Sequence, residues 1–348
     1  MKYPKFLKEH STIGIPAPSS GAYNECKKNR YKHAMTFFEN KGYQLITSKN
    51  LFNSEKGRSA SAKERAKEVT EMFKNKDIDA IICATGGDFL IEILPYINFK
   101  DIVENPKYIM GFSDPTGILY PITSKYDIAT IYGSNFSPFG AETIHKSQID
   151  ALNLLEGKTL EVHSYEKYAG DYQEEITGLE SPIYNKDVYW KTLDDKEVEL
   201  EGRILGGNFD VIAELSGTKY DGINDFNKRY KEDGIIWFFD NCEITLEETI
   251  KALWKLKELD YFKYAKGILF GRFGVETTTY QYDVKTCLED SVLKELNIPI
   301  IYDADFSHKD PCIPIINGSI AKLIVKDGKG KISFKLEWYH EIRGKKIN

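Results

Sequence analysis

The chain has 348 residues, of which 41% are hydrophobic and 29% charged, a composition typical of a globular protein with room for two domains. Its formal net charge is −6 and no long basic block occurs, which argues against nucleic-acid binding. No apolar stretch approaches the roughly 20 residues that span a bilayer, and no apolar signal core follows Met1–Lys5, so we expect a cytoplasmic protein without a membrane partner.

Strand-like and helix-like segments alternate over residues 1–140. The predicted strands are Thr12–Pro16, Tyr43–Ser48, Ile78–Ala84 and Tyr108–Phe112, and the predicted helices are Asn24–Lys41, Ser61–Lys74, Phe89–Ile97 and Thr116–Tyr126. Such alternation predicts an α/β domain with a doubly wound parallel sheet.

Residues 141–200 show weak periodicity and are interpreted as a linker and the start of a second domain. Residues 201–348 are predicted to form a smaller C-terminal domain, β-rich with helices. Its predicted elements are a helix-like run within Gly202–Leu215, strands Ile235–Phe239, Gly267–Phe270 and Pro299–Tyr302, the helix Leu246–Leu259, and paired strands within Ala321–Leu336.

Ser113 follows an apolar strand and precedes a predicted helix. A serine on a sharp strand-to-helix turn is held where a substrate can reach it, but it needs a positioned base to act as a nucleophile. The alternative is a helix cap, the usual role of Ser before a helix. Pro115 also departs from the Gly-x-Ser-x-Gly pattern of α/β hydrolases, which disfavours that unrelated class.

Three further segments could complete a site around Ser113. Gly86-Gly87 ends the preceding strand, where glycines leave backbone N–H groups free to stabilise an oxyanion, or simply form a tight turn. Asp240 ends the apolar strand from Ile235, and His308 lies in a polar loop after a later strand. The order Ser, acid, His is known among serine hydrolases, although a turn acid and a solvated histidine are the ordinary alternatives.

The combination of segments resembles the LD-carboxypeptidase family of serine peptidases, including its branch of microcin C immunity proteins. The segments that carry the resemblance, in chain order, are Ile15–Ser19, Gly86-Gly87, Ile93–Pro95, Pro106-Lys107, Gly111–Thr116, Tyr132–Phe136, Gly202, Gly206–Asn208, Leu215–Thr218, Asp240, Gly267–Arg272, His308, Pro314 and Gly318.

That resemblance implies the roles of the site residues. Ser113 would be the nucleophile, His308 the base, and Asp240 the acid that orients it. The backbone N–H groups of Gly87 and Asp114 would form the oxyanion hole, with Gly86 near the substrate. The site would lie between the two domains, and the protein would be a homodimer.

Two positions differ from the family pattern. The family acid is usually Glu, so Asp240 is one methylene shorter, and Glu243 is an alternative orienting acid. Thr85 stands where many members have Arg before the Gly-Gly turn. In this respect the chain is more similar to the immunity-protein branch. Trp190 is either a substrate-binding side chain or a core anchor.

The expected function is hydrolysis of an unusual amide bond. The family's substrates are L,D-peptides of the murein type and peptidyl- or aminoacyl-nucleotides of the microcin C type, and the sequence does not choose between them. The alternative is a non-catalytic ligand-binding protein whose triad has decayed. The five cysteines and six histidines lack Cys-x-x-Cys and His-Glu-x-x-His spacing, so no metal and no cofactor are expected.

Overall fold

The computed structural model describes residues 1–171 and 173–336. The predicted C-terminal domain extends further, and its residues 337–348 lie outside the described residues. The first half of the chain contains β1 Thr12–Ile15, α1 Glu25–Asn40, β2 Gln44–Thr47, α2 Ala62–Lys74, β3 Ala80–Ile82, α3 Phe99–Glu104, β4 Tyr108–Gly111, α4 Thr116–Ser124, β5 Thr130–Tyr132 and α5 Lys146–Leu155, with short 3₁₀ helices at Leu90–Tyr96 and Ser137–Gly140.

The second half begins with short strands and then builds a larger sheet. Its elements are β6 Glu161–His163, β7 Lys167–Tyr168, β8 Lys186–Asp187, β9 Lys191–Thr192, β10 Val198–Asn208, α6 Phe209–Leu215, α7 Ile223–Tyr230, β11 Ile235–Asp240, α8 Leu246–Glu258, β12 Ala265–Gly271, α9 Val284–Glu289, a 3₁₀ helix Val292–Glu295, β13 Ile300–Ala304, β14 Ile315–Asn317, β15 Ile320–Lys326 and β16 Lys329–Lys335.

The first sheet has the strand order β2-β1-β3-β4-β5-β14. Strands β1 to β5 are parallel, and β14 pairs antiparallel with β5. The order 2-1-3-4-5 is one of the doubly wound arrangements, in which ligands bind beyond the carboxyl ends of the strands. The segments after β1, β3 and β4 therefore meet at one edge of this sheet.

The second sheet has the order β6-β16-β15-β10-β11-β12-β13-β9. Its centre, β10 to β13, is parallel, and antiparallel strands flank it on both sides. All six residues of β11 are buried, since a central strand is covered on both faces. The mixed fold, a parallel-sheet first domain and a β-rich second domain, agrees with the predicted fold class.

Several elements differ from the sequence-based expectation. The predicted helix Phe89–Ile97 is a 3₁₀ helix over Leu90–Tyr96, and it contains Pro95, which cannot donate a backbone hydrogen bond. Helix α5 was not predicted because two of its buried positions, Ser147 and Asp150, are polar and blur the apolar period. Residues 141–200 also supply both edge strands of the second sheet, β6 and β9.

The two sheets are joined by contacts near the carboxyl ends of β4 and β10. The N–H of Asn208, the last residue of β10, donates to Thr116 Oγ1 at the start of α4, at 2.9 Å. Gly207 next to it has φ +150°, and a Cβ there would lie 2.7 Å from Thr116 Cγ2. Together with β14, which comes from late in the chain but joins the first sheet, these contacts hold the domains in register. Every helix among the described residues is too short or too polar to cross a bilayer.

Candidate active site

Ser113 lies on the turn between β4 and α4, with its backbone in the left-handed region at φ +70°. The N–H of Thr116 donates to Ser113 O at 2.9 Å and closes the turn. Gly111 makes this geometry accessible, because a Cβ there would lie 2.6 Å from Pro115 Cβ. A non-glycine residue with positive φ is uncommon and clusters at functional sites. Pro115 thus coexists with a sharp serine turn although it breaks the Gly-x-Ser-x-Gly pattern.

His308 and Asp240 come from the second domain and line up with this serine. His308 Nε2 lies 2.8 Å from Ser113 Oγ, and His308 Nδ1 lies 3.0 Å from Asp240 Oδ1. Asp240 is the last residue of β11 and is fully buried, while His308 lies in the loop between β13 and β14. The structure therefore brings the three side chains into one hydrogen-bonded row across the two domains.

The electrostatics of the row favour a charged imidazole. Burial lowers the pKa of His308, but the facing Asp240 carboxylate and the neighbouring Cys242 side chain together raise it by more, so the net pKa lies well above the usual value for histidine. Glu243, the alternative acid, lies apart from the row. Its N–H donates to Asp210 Oδ1 at 2.8 Å, and no hydrogen bond joins its side chain to His308 within the described residues.

Tyr132 is a fourth member of this network that sequence reasoning missed. Its hydroxyl donates to Asp240 Oδ2 at 2.5 Å and accepts the N–H of Ser113 at 3.3 Å. Burial, together with the nearby Asp240 carboxylate, raises the pKa of Tyr132 well above its usual value. In the sequence, a tyrosine in an apolar strand is not distinguishable from a core residue. The available indication of a role in the site was its position at the start of the Tyr132–Phe136 segment, which carries part of the family resemblance.

The Gly86-Gly87 turn after β3 packs against the serine. A Cβ on Gly86 would lie 3.1 Å from Ser113 Cβ, and Gly87 has φ +149° with Ser19 Oγ 2.4 Å from its Cβ position. A side chain on Gly86 would press against Ser113, and the positive φ of Gly87 would strain any side chain there. Within the described chain, the N–H groups of Gly87 and Asp114 donate to no other protein group, and Gly87 lines the inner cavity next to Ser113.

The Asp114 side chain ties together the loops that carry these N–H groups. Its Oδ2 accepts the hydroxyl of Ser19, after β1, and the N–H of Leu90, after the Gly86-Gly87 turn, the latter at 2.9 Å. Burial raises the pKa of Asp114 to about 7, although these two hydrogen bonds act in the opposite direction. The carboxyl group thus fixes three loop segments around Ser113.

A buried ion pair holds the loop that carries His308. Arg272 pairs with Asp305, and its remaining N–H groups donate to Lys309 O at 3.0 Å and Pro311 O at 3.1 Å. Arg272 directly follows β12, at the end of a segment that the sequence comparison had singled out without assigning it a role.

Trp190 contacts the same buried ion pair. Its side chain is 1% exposed, and its Nε1 donates to Asp305 Oδ2 at 3.1 Å. Trp190 does not line the cleft around Ser113, so of its two alternatives the structure supports the core anchor and contradicts the substrate-binding side chain. The physical reason is that the short strands β8 and β9 carry it inward against the second sheet.

Two adjoining compartments open above the row. The inner cavity, about 590 Å³, is lined by Ser113, His308 and Gly87, and the outer one, about 520 Å³, is lined by residues that include Ala169, Asp171 and Tyr184. The two share six lining residues: Lys27, Ser137, Pro138, Gln148, His308 and Asp310. Residues 1–171 and 173–336 contain no group of three or more His, Cys, Asp or Glu side chains that could hold a metal ion.

Known proteins are similar to this chain in sequence and in fold. Residues 13–133 match the model of the LD-carboxypeptidase N-terminal domain, and residues 201–323 match that of the LD-carboxypeptidase C-terminal domain. The microcin C7 self-immunity protein MccF of Escherichia coli is 27% identical over 321 residues, covering 87% of this chain and 88% of that protein. A probable murein peptide carboxypeptidase of Bacillus subtilis is 26% identical over 219 residues, covering 63% and 60%.

Solved structures agree over nearly the whole chain. An MccF-like protein from Bacillus anthracis is 25% identical with a TM-score of 0.82, covering 96% of this chain and 99% of that one. The structure of MccF in complex with glutamyl sulfamoyl guanosine has a TM-score of 0.81 at 23% identity, covering 96% and 98%, and shows the same fold. With both family domains matched in order, the chain belongs to the LD-carboxypeptidase family of peptidases.

Proposed function

We propose that this protein is a serine hydrolase that cleaves an amide bond, with Ser113 as nucleophile, His308 as general base and Asp240 as the acid that orients His308. His308 Nε2 takes the Ser113 Oγ proton while Oγ attacks the carbonyl carbon. The same proton then passes to the leaving nitrogen, and water hydrolyses the acyl-enzyme. The single observation that carries the proposal is the hydrogen-bonded row, with 2.8 Å between Ser113 Oγ and His308 Nε2 and 3.0 Å between His308 Nδ1 and Asp240 Oδ1.

The N–H groups of Gly87 and Asp114 are the proposed oxyanion donors. Support comes from their lack of a protein partner and from the contact of the Gly86-Gly87 turn with Ser113. Preorganised donors of this kind cost no reorganisation during the reaction and can contribute 10²–10³ in turnover each. The hydrogen bond between Asp240 and His308 disfavours the alternative of a binding protein with a decayed triad. In such a protein the acid would have no catalytic role, and nothing would keep it within hydrogen-bond distance of the histidine.

Two substrate classes follow from the relatives. One is an L,D-peptide of murein type, since a relative is named as a probable murein peptide carboxypeptidase. The other is an aminoacyl-nucleotide of microcin type, since solved relatives hold glutamyl sulfamoyl guanosine and aspartyl sulfamoyl adenosine. Both are small amides that a cleft of about 590 Å³ with an adjoining compartment can enclose.

Mass spectrometry of a substrate panel tests this function. The panel contains a murein tetrapeptide ending in L-lysyl-D-alanine and an aminoacyl-nucleotide amide, each incubated with the wild type and with Ser113→Ala. Cleavage of either compound by the wild type, and its loss in the variant, supports the proposal. Equal cleavage by both proteins, or cleavage of neither compound by folded wild type, contradicts it.

The family resemblance also extends to assembly, and we include a homodimer in the proposal. Analytical ultracentrifugation at micromolar concentration decides this point: a monomer over the whole concentration range contradicts it.

A further inference from the structure

Asp310 occupies the junction of the two compartments and lines both of them. Its backbone is held in place on both sides, because Arg272 binds the carbonyls of Lys309 and Pro311 and the N–H of Ala169 donates to Asp310 O at 2.8 Å. The carboxylate is thus presented to the cleft from a rigid loop, two positions after His308.

No hydrogen bond or ion pair within the described chain reaches the Asp310 carboxylate. The nearby cations all have other partners: Lys27 pairs with Glu175, Arg30 donates to Glu180 O, Arg272 pairs with Asp305, and Lys309 pairs with Glu276. Burial raises the pKa of Asp310, while the more distant charges of His308, Arg272 and Arg30 lower it by less and Asp240 raises it further. Asp310 is half-buried and lines both compartments, so a carboxylate without a protein partner at this place is accessible to a cationic ligand.

The chemistry of the missing partner follows from this environment. Among the described residues, Lys27, Arg30 and Lys309 line the compartments and are each engaged with another group, and no cluster of metal ligands surrounds Asp310. A primary ammonium group supplies both a compensating charge and N–H donors, and charge-assisted hydrogen bonds of this kind are the strong ones. Tyr184, whose ring is stacked on His145, lines the outer side of the same space and offers an aromatic face to a cation.

We propose that Asp310 is a specificity-determining residue that receives a protonated primary amine of the substrate. The inference rests on the proposed hydrolysis at Ser113 and narrows its substrates to amides that carry a free amine within reach of the scissile bond. In the murein-type compound of the panel this amine is the lysyl ε-ammonium, and in the aminoacyl-nucleotide it is the α-ammonium.

Calorimetric binding to the Ser113→Ala variant tests the inference without turnover. Each panel compound is compared with its N-acetylated form, which loses the positive charge and gains an acetyl group. We expect the free amine to bind roughly 10- to 100-fold more tightly, the range for a hydrogen bond to a charged group. In Ser113→Ala/Asp310→Asn this ratio should fall to about one, whereas Ser113→Ala/Asp171→Asn, a matched change in the outer compartment, should keep it.

Equal affinity for free and acetylated compounds, binding of neither, or an unchanged ratio in the Asp310→Asn variant overturns the inference. The ratio of wild-type turnover on the free amine to turnover on its acetylated form distinguishes failure of this inference from failure of the proposed function. Hydrolysis without an amine preference contradicts the role of Asp310 and leaves the hydrolase standing. Amine-selective binding without hydrolysis contradicts the hydrolase and leaves the Asp310 site standing. Circular dichroism and melting curves establish that both double variants are folded.

Discussion

The Tyr132 hydroxyl donates to Asp240 Oδ2 at 2.5 Å, and this hydrogen bond joins the first sheet to the last residue of a central strand of the second. The same hydroxyl accepts the N–H of Ser113, so one side chain contacts both ends of the proposed catalytic row. His308 Nδ1 lies 3.0 Å from both oxygens of the Asp240 carboxylate, and Oδ2 also accepts the Tyr132 hydroxyl.

Replacing Tyr132 with Phe should lower kcat roughly 10- to 100-fold with little change in KM. The variant keeps the buried ring but leaves Asp240 Oδ2 and the Ser113 N–H without this partner, and a hydrogen bond to a charged group contributes about 1.5–3 kcal/mol. Steady-state kinetics on any cleaved panel compound measures the effect. Tyr126→Phe removes a hydroxyl elsewhere in the first domain and serves as the control. A Tyr132→Phe enzyme with wild-type kcat would exclude a positioning role.

Asp240→Asn should be far more harmful to turnover than Glu243→Gln. Asp240 contacts His308, whereas Glu243 lies apart from it, near the start of α8. A carboxylate that fixes the imidazole tautomer can contribute about 10⁴ in turnover in other serine proteases. Kinetics and melting curves of both variants are compared. If Glu243→Gln is the inactive one, the acid has been assigned to the wrong residue.

The pH dependence of kcat/KM should show an acid limb with a midpoint above 6.5. His308 must be neutral to accept the Ser113 proton, and Asp240 raises its pKa, so activity is lost as pH falls through that raised value. Asp240→Asn removes the carboxylate and leaves the burial that lowers the pKa, so the imidazole should titrate at lower pH in this variant. NMR titration of His308 measures both values. An unchanged midpoint in the variant contradicts the assigned cause.

Asp114→Asn should gain stability relative to the wild type as pH rises from about 4 to 7. Burial raises the folded-state pKa of Asp114 to about 7, well above the unfolded value near 3.9. Stability from the protonated carboxyl is therefore fully present below pH 3.9 and is lost as pH rises through 7. Melting temperatures across this range give the difference, with the exposed Asp77→Asn as control. A difference that does not change with pH would show that Asp114 titrates normally.

Much of the fold and two of the three proposed triad residues could be predicted from the sequence, because the patterns that indicate them are local. Ser113 and Asp240 each follow an apolar strand, and a strand end in an α/β sheet is where functional side chains gather. Placing His308 beside them required the family resemblance, since nothing in a polar loop predicts which strand end it reaches.

The remaining features depend on contacts between distant segments. Tyr132 and Arg272 have partners far away in the chain, and the backbone of Asp310 is held by Ala169, far away in the chain. Burial alone does not distinguish these residues from core or surface residues. The same holds for β14, which joins the first sheet from late in the chain, and for Trp190, whose environment is set by Asp305. Local periodicity carries no information about these pairings.

Labelling with a fluorophosphonate probe tests most directly whether Ser113 is an activated nucleophile. We expect one covalent adduct, located by peptide mass spectrometry on Ser113, that forms with the wild type and is absent from Ser113→Ala. His308→Ala should slow its formation by orders of magnitude, because serine is a weak nucleophile without its base. A folded wild type that acquires no adduct, or acquires it on another residue, would contradict the central claim.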